Sequence, residues 1–199
     1  VGVLGHSEGG TIALMLAGEK QVEFAISLAG MIVSGAETLL EQNRHALKAA
    51  GMPESEVDAY CRLLSDTFDA IKAKSPLPSA DDYNLSDGLT QNYHAALAQF
   101  RTPYLEYFLG LDLSKRLSGI TCPVMALNGT KDTQVQCDRN MEALKAGLPS
   151  GGKNLVRAEE GLNHLFQHCV TGDFSEYKEI EETFSPEVLS EMVVWIKSL

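Results

Sequence analysis

The sequence predicts an α/β fold with a parallel sheet, flanking helices and a helical insertion between two of the strands. Short apolar segments rich in strand-forming residues alternate with segments of helical periodicity, which is typical of parallel sheets because crossover helices join their strands. The predicted strands are residues 1–5, 22–29, 123–128 and 154–158. The predicted helices beside them are residues 9–20, residues 134–148, and a C-terminal helix with Ser185 as N-cap and Pro186 in its first turn.

A long helical stretch separates the second predicted strand from the third. Apolar side chains recur at helical spacing between Val57 and Ile71, and more helical segments are predicted at residues 89–100 and from Pro103 onward. An all-helical insertion of this kind is expected to cover the active end of the sheet. The expected domains are an α/β core of residues 1–33 and 117–199 and a helical cap of residues 34–116.

The first strand and the first helix meet at a short turn between Gly5 and Gly9. Residues 1–5 are apolar, and the strand is predicted to be buried on both faces. The two glycines are expected to let the strand and the helix approach each other closely, because neither carries a Cβ atom. The helix is expected to pack through the apolar side chains of Ile12, Leu14, Met15 and Leu16.

The composition is that of an ordinary globular protein and argues against two kinds of partner. The 199 residues are 44% hydrophobic and carry a formal net charge of −11 at pH 7. Nucleic-acid surfaces require clustered Lys and Arg, so this charge argues against a nucleic-acid partner. The longest apolar stretches, such as residues 24–33, are shorter than the roughly 20 residues of a membrane-spanning helix.

The cysteines are scattered along the chain and form no CxxC pair or Cys/His cluster. A disulfide framework or a structural zinc site is therefore not predicted. Free thiols in this pattern are typical of a reducing compartment such as the cytoplasm. The cysteines are Cys61, Cys122, Cys137 and Cys169.

The segment Gly5-His6-Ser7-Glu8-Gly9 fits the pattern G-x-S-x-G between a predicted strand and a predicted helix. A sharp turn from strand to helix lifts the serine hydroxyl clear of the sheet, an arrangement called the nucleophile elbow. The helix N-terminus points at this turn, so the backbone N–H of Glu8 is predicted to donate to an oxyanion. Ser7 is the predicted nucleophile. An ordinary glycine-rich turn is the alternative interpretation.

A serine nucleophile requires a histidine base and an acid that orients the histidine. In sites of this kind the acid follows a strand, the histidine follows the last strand, and the chain order is Ser, Asp or Glu, His. Asp132 lies in the loop after the third predicted strand, and His164 in the loop after the fourth. The sequence therefore predicts a triad of Ser7, Asp132 and His164, whose chemistry needs no metal ion or organic cofactor.

Other polar residues offer alternatives to these roles. Asp132 belongs to a residue type that also starts turns and caps helices. Asp138 is a rival acid, but it lies inside a predicted helix and is expected to point to solvent. His164 and His168 are four residues apart and suit a pair of metal ligands, although no third ligand has suitable spacing. Cysteine is also a possible nucleophile, but the sequence around Cys169 does not form a nucleophile elbow. Structural or solvated roles are expected for the remaining histidines, His6, His45 and His94.

Four segments carry a resemblance to a known family: GHSEGG (5–10), CPVMALNGTKDTQV (122–135), GLNHLFQ (161–167) and EETFSPEVL (181–189). They resemble the α/β-hydrolase superfamily, and more closely the bacterial esterases and the dienelactone-hydrolase-like or prolyl-oligopeptidase-like serine hydrolases. The resemblance implies Ser7 as nucleophile, His164 as base and acid, Asp132 as its orienting partner, and the Glu8 N–H as an oxyanion donor.

The same resemblance implies that part of the family's fold precedes Val1. Such hydrolases resemble one another in an eight-stranded sheet whose nucleophile follows the fifth strand, which corresponds here to residues 1–5. Four strands and the second oxyanion donor are then outside this sequence, which is expected to be the C-terminal part of a longer protein. A strand left at a sheet edge exposes unpaired backbone groups. We expect this strand to pair with the missing N-terminal half or with a second copy of the chain.

The expected activity is the hydrolysis of carboxylic esters through an acyl-enzyme, with a small-molecule ester as substrate. Aromatic residues of the helical cap are expected to form the acyl or alcohol pocket. Two alternatives remain open. A serine peptidase of the prolyl-oligopeptidase type would use the same triad on an amide, and a catalytically impaired fragment or binding module would keep the triad without turnover.

Overall fold

The computed structural model describes residues 1–100 and 102–199. In this part of the chain, parallel strands form one four-stranded sheet in the order β1-β2-β3-β4. The strands are β1 (Gly2–His6), β2 (Phe24–Leu28), β3 (Val124–Gly129) and β4 (Leu155–Glu159). The helices are α1 (Glu8–Gly18), α2 (Gly35–Ala49), α3 (Glu54–Ala73), α4 (Asp87–Phe100), α5 (Pro103–Gly110), α6 (Cys137–Gly147) and α7 (Pro186–Ser198). The predicted fold class, a parallel sheet with flanking helices, is confirmed.

The chain divides into two compact units. The sheet unit comprises Val1–Val33 and Asp112–Leu199, and the helical unit comprises Ser34–Leu111. Residues 112–116, which the sequence assigns to the helical cap, lie in the sheet unit.

Apolar side chains cover both faces of the sheet, because successive residues of a strand point to opposite faces. On one face Ala25 and Ala126 pack against α1 and α6. On the other face Ile26 and Leu127 pack against α7. Every residue of β3 is buried, as expected for a strand with a neighbour on each side and helices above and below.

β1 is an edge strand, and the prediction that it is buried on both faces is wrong. It pairs with β2, with Gly2 opposite Phe24 and His6 opposite Leu28, and it has no other strand neighbour among the described residues. Leu4 is consequently 52% exposed. An apolar run is compatible with a central or an edge position, so composition alone does not reveal which neighbours the strand has.

α1 packs through smaller side chains than its sequence predicts. Leu14 is fully buried as expected, together with Ala13 and Ala17. Ile12, by contrast, is 48% exposed, because it lies on the side of the helix away from the sheet contacts made by Leu14 and Ala17. The predictions for Met15 and Leu16 hold only in part, since both are half-buried.

The helical unit has its own apolar core. Leu63, Leu64 and Phe68 of α3 pack in one cluster with Tyr93 of α4. The Thr67 hydroxyl and the Tyr93 hydroxyl hydrogen-bond to each other at 2.9 Å inside this core. Among the described residues, no helix of either unit is both long enough and apolar enough to cross a membrane.

Candidate active site

Ser7 occupies a strained turn between β1 and α1. Its backbone has φ 57° and ψ −123°, a region that side-chain-bearing residues rarely adopt and that costs about 1–3 kcal/mol. Backbone hydrogen bonds on both sides hold the turn, because Ser7 N donates to Leu28 O at 2.8 Å and Gly10 N donates to Ser7 O at 2.9 Å. This is the strand–turn–helix context predicted for the G-x-S-x-G segment.

The glycines around this turn differ in how much space a Cβ atom would have at each position. A Cβ atom built on Gly5 would lie 2.0 Å from the carbonyl oxygen of Gly9, so only glycine fits at that position. The same expectation for Gly9 is wrong, because a Cβ there would meet nothing within 4 Å among the described residues. The second close approach is instead at Gly10, whose Cβ would lie 2.8 Å from Ser27 Oγ and 3.0 Å from Gly30 Cα.

Asp132 lies in the loop that follows β3, and its buried carboxylate accepts four hydrogen bonds. Oδ1 accepts from the backbone N–H groups of Gln134 and Val135 at 2.8 and 2.9 Å. Oδ2 accepts from Asn128 Nδ2 at 2.9 Å and from His164 Nδ1 at 2.7 Å. The turn-capping interpretation and the histidine-orienting interpretation of Asp132 therefore describe different oxygens of one side chain.

His164 lies in the loop after β4 and is 3% exposed. A carboxylate only accepts hydrogen bonds, so the 2.7 Å contact with Asp132 fixes the proton of a neutral His164 ring on Nδ1. Nε2 is then the basic nitrogen of the ring. The loop is held by the buried Asn163, whose Oδ1 accepts from the backbone N–H groups of Leu165 and Gln167 at 2.9 and 3.0 Å.

His6 connects this loop to the turn that carries Ser7. Its Nε2 donates to the backbone oxygen of His164 at 2.7 Å, and the two rings lie 4.7 Å apart between centroids. Burial lowers the pKa of His6, and the hydrogen bond to the His164 backbone opposes that shift. Because His6 immediately precedes Ser7, these contacts hold the backbone of His164 next to the elbow.

The structure thus brings the predicted residues together to different degrees. Asp132 and His164 are joined directly, and His164 contacts the neighbour of Ser7 in the chain. Among the hydrogen bonds of the described residues, none joins the Ser7 hydroxyl to His164. Hydrogen bonds of this kind are often long before a substrate is bound. Glu8 is the first residue of α1, so its N–H belongs to the first turn of the helix.

The residues weighed as alternatives lie elsewhere. Asp138 is exposed in the first turn of α6, and His45 and His94 are exposed in the helical unit. His168 is exposed as well, and it hydrogen-bonds to Glu182 rather than sharing a ligand site with His164. The Cys169 thiol donates to a backbone oxygen at 3.4 Å, and burial raises its pKa, which disfavours the reactive thiolate.

Two positioning residues are not apparent from the sequence. Asn128 and Asn163 are fully buried, and they contact Asp132 and the His164 loop respectively. Asn128 is the fifth residue of β3, where an amide in an otherwise apolar strand is the only signal that could have pointed to it. The position of Asn163, one residue before the predicted histidine, is the corresponding signal in the second loop.

No family model and no curated protein match the chain. It is similar to the solved structure of the Pyrococcus furiosus esterase Pf2001, with 17% identity, a TM-score of 0.46, and coverage of 99% of this chain and 52% of that one. It is also similar to the esterase RhEst1 from Rhodococcus sp. ECU1013 (19% identity, TM-score 0.47, 98% and 64% of the two chains) and to the alpha/beta hydrolase GrgF from Penicillium sp. sh18 (16% identity, TM-score 0.49, 98% and 62%).

This chain spans between about half and two thirds of the length of those three proteins.

Proposed function

We propose that this chain is a serine hydrolase of the α/β-hydrolase type that cleaves carboxylic esters through an acyl-enzyme intermediate. The observation that carries the proposal is the buried hydrogen bond of 2.7 Å between Asp132 and His164. The backbone oxygen of His164 in turn accepts a hydrogen bond from His6, the residue before Ser7. A buried acid–histidine pair near a serine is the arrangement that the Ser-His-Asp mechanism uses.

In the proposed first step the Ser7 Oγ attacks the ester carbonyl carbon while His164 Nε2 takes the hydroxyl proton. Asp132 holds the ring with Nδ1 protonated and stabilises the imidazolium that forms. The tetrahedral intermediate then collapses, the bond to the alcohol oxygen breaks, and His164 returns its proton to the departing alcohol. Water repeats the same sequence on the acyl-enzyme, which releases the carboxylic acid and restores Ser7.

The negative charge that develops on the carbonyl oxygen requires hydrogen-bond donors close to Ser7. We assign one of these donors to the backbone N–H of Glu8, since it lies in the first turn of α1, where the helix dipole also favours an anion. Each donor of this kind contributes about 10²–10³ in turnover. Turnover by this chain is therefore expected to depend on how many donors surround the oxyanion.

The test is the rate of hydrolysis of p-nitrophenyl acetate and butyrate by the chain and by two serine variants. Ser7→Ala is expected to lower the rate by about 10⁴–10⁶-fold. Ser190→Ala is the matched control, because Ser190 is exposed on α7, and it is expected to keep the wild-type rate. Equal rates for the wild type and Ser7→Ala would contradict the proposal and favour a protein that keeps the triad without turnover.

Parallel assays with p-nitroanilides of the same acyl groups separate the ester from the amide reaction. The proposal predicts turnover of the esters without turnover of the anilides. A peptidase would cleave the anilides as well, although more slowly than the more reactive esters.

A further inference from the structure

The helical unit contains a cavity of about 450 Å³ that none of the proposed catalytic residues line. Each of the helices α2, α3, α4 and α5 contributes to its wall, with side chains such as Leu39, Phe68, Ala96 and Leu105. The volume falls in the range of about 300–1,000 Å³ that is typical of small-molecule sites.

The lining determines the chemistry of a molecule that fits. Among the described residues that line the cavity, no side chain is charged. A charged ligand would gain no ion pair from these described side chains in return for its lost hydration, so they favour an uncharged molecule. The apolar and aromatic side chains that dominate the wall favour a largely apolar one.

Tyr60 supplies a polar group to this wall. It is 5% exposed, and its hydroxyl makes no hydrogen bond to any residue that the structure describes. Burial raises the pKa of Tyr60, so the hydroxyl keeps its proton and remains a donor. A ligand that accepts a hydrogen bond from this hydroxyl would gain a polar interaction inside the cavity.

A second cavity in the same unit provides a contrast. It has a volume of about 380 Å³, is more open, and is bordered by Lys74 and Glu106, which form an ion pair at 3.2 Å. Charges and water are therefore within reach there. The cavity beside Tyr60 differs from it in that none of its described lining side chains is charged and in that the mostly buried Tyr60 supplies a hydroxyl donor.

We propose that the cavity lined by Tyr60 and Ala96 binds an uncharged, largely apolar small molecule that accepts a hydrogen bond from the Tyr60 hydroxyl. Binding needs no chemistry at Ser7. An absence of ester hydrolysis would therefore not contradict this inference, and an absence of binding would not contradict the proposed hydrolysis.

The test uses the full chain and the uncharged fluorophore 6-propionyl-2-(dimethylamino)naphthalene, which joins an apolar naphthalene to one carbonyl acceptor. We expect a saturable, blue-shifted emission with one site per chain, and the same dissociation constant in Ser7→Ala. Ala96→Phe should fill the cavity and weaken binding at least tenfold. Ala98→Phe is the matched control, because Ala98 is exposed on the same helix, and its affinity should stay within about twofold.

Tyr60→Phe is the second variant, since it removes one oxygen and keeps the shape of the wall. It should weaken binding by about 2- to 10-fold, the loss expected for one hydrogen bond. Circular dichroism and thermal melts establish whether each variant is folded. If Ala96→Phe does not fold, the affinity of Tyr60→Phe tests the proposal. Wild-type affinity in the folded variants that alter the cavity, or an equal loss in Ala98→Phe, would overturn the proposal.

Discussion

The sheet unit and the helical unit bury different kinds of side chain. In the described part of the helical unit, the buried side chains with polar groups carry a hydroxyl or a thiol, and they are Thr38, Tyr60, Cys61, Thr67 and Tyr93. The sheet unit buries an aspartate, a histidine and several amides, and those nearest Asp132 and His164 lie at or beyond the carboxyl ends of β3 and β4. The carboxyl ends of parallel strands are where such folds place their ligand sites.

The two units therefore differ in whether they can hold charged or proton-carrying groups in place. A buried charge or imidazole is costly unless it is hydrogen-bonded, and the carboxylate of Asp132 has four donors. Such a network fixes proton positions. The helical unit has an apolar core and a cavity whose described lining side chains are uncharged, so it fixes shape instead.

The largest effect is expected for Asp132→Asn. The new amide can still accept from the backbone of Gln134 and Val135, but it cannot hold the Nδ1 proton of His164 as the carboxylate does. The histidine is then held in the wrong tautomer, and we expect kcat/KM for a p-nitrophenyl ester to fall by about 10⁴-fold. Asp138→Asn, which alters an exposed acid on α6, should leave kcat/KM unchanged. Comparable losses of kcat/KM in the two variants would contradict the role of Asp132 in orienting His164.

The next effect concerns folding of the elbow. Gly5→Ala would force a Cβ atom to within 2.0 Å of the Gly9 carbonyl oxygen. Because the contact is with backbone, we expect the free energy of unfolding to fall by about 3 kcal/mol. Gly9→Ala, at the other end of the same motif, should be neutral or stabilise the chain by up to about 1 kcal/mol. Urea denaturation of both variants measures the difference, and equal destabilisation would refute the close-approach explanation.

A smaller effect separates the two kinds of buried polar group. Asn128→Ala removes a donor to Asp132 Oδ2, so we expect kcat to fall about tenfold because Asp132 is less firmly held. Thr67→Val removes the hydrogen bond to Tyr93 in the helical unit and should lower the free energy of unfolding by about 1 kcal/mol. Ester turnover and urea unfolding of both variants are the measurements. A loss of ester turnover in folded Thr67→Val would contradict the assignment of the chemistry to the sheet unit alone.

The smallest effect is a pH dependence of stability at His6. Burial lowers its pKa below the ordinary value of 6.5, with the nearby His164 acting in the same direction. The unfolded chain then binds a proton that the folded chain does not, so stability is complete above pH 6.5 and is lost as the pH falls toward the lower folded pKa. The melting temperature of the wild type should therefore fall more steeply between pH 7 and 5 than that of His6→Gln.

His94→Gln is the control for this experiment, because His94 is an exposed histidine of the helical unit. Its melting temperature should follow the wild type at every pH. A wild-type profile parallel to that of His6→Gln would contradict the account of His6.

Much of the architecture follows from the sequence, because it rests on local patterns. The strand–helix alternation, the N-cap at Ser185 and the G-x-S-x-G turn are properties of neighbouring residues, and the structure contains each of them. The Asp132–His164 pair was also predictable, since both residues follow strands that end at the same edge of the sheet.

The features that could not be predicted depend on contacts between distant segments. Whether Leu4 is covered depends on the strands beside β1, and the exposure of Ile12 depends on what lies against α1. The close approach at Gly10 involves Ser27 and Gly30, which belong to the next strand and its loop. The role of Asn128 appears only once the Asp132 carboxylate folds back beside it.

The central claim is that Asp132 and His164 activate Ser7 for attack on an acyl group. The most direct measurement is labelling with a fluorophosphonate, followed by mass spectrometry of the intact chain and of its peptides. We predict a single adduct on the peptide that contains Ser7, formed at least 10³-fold more slowly in His164→Ala, which keeps the serine but lacks the base. An adduct on another residue, or equal labelling rates in the wild type and His164→Ala, would contradict the account.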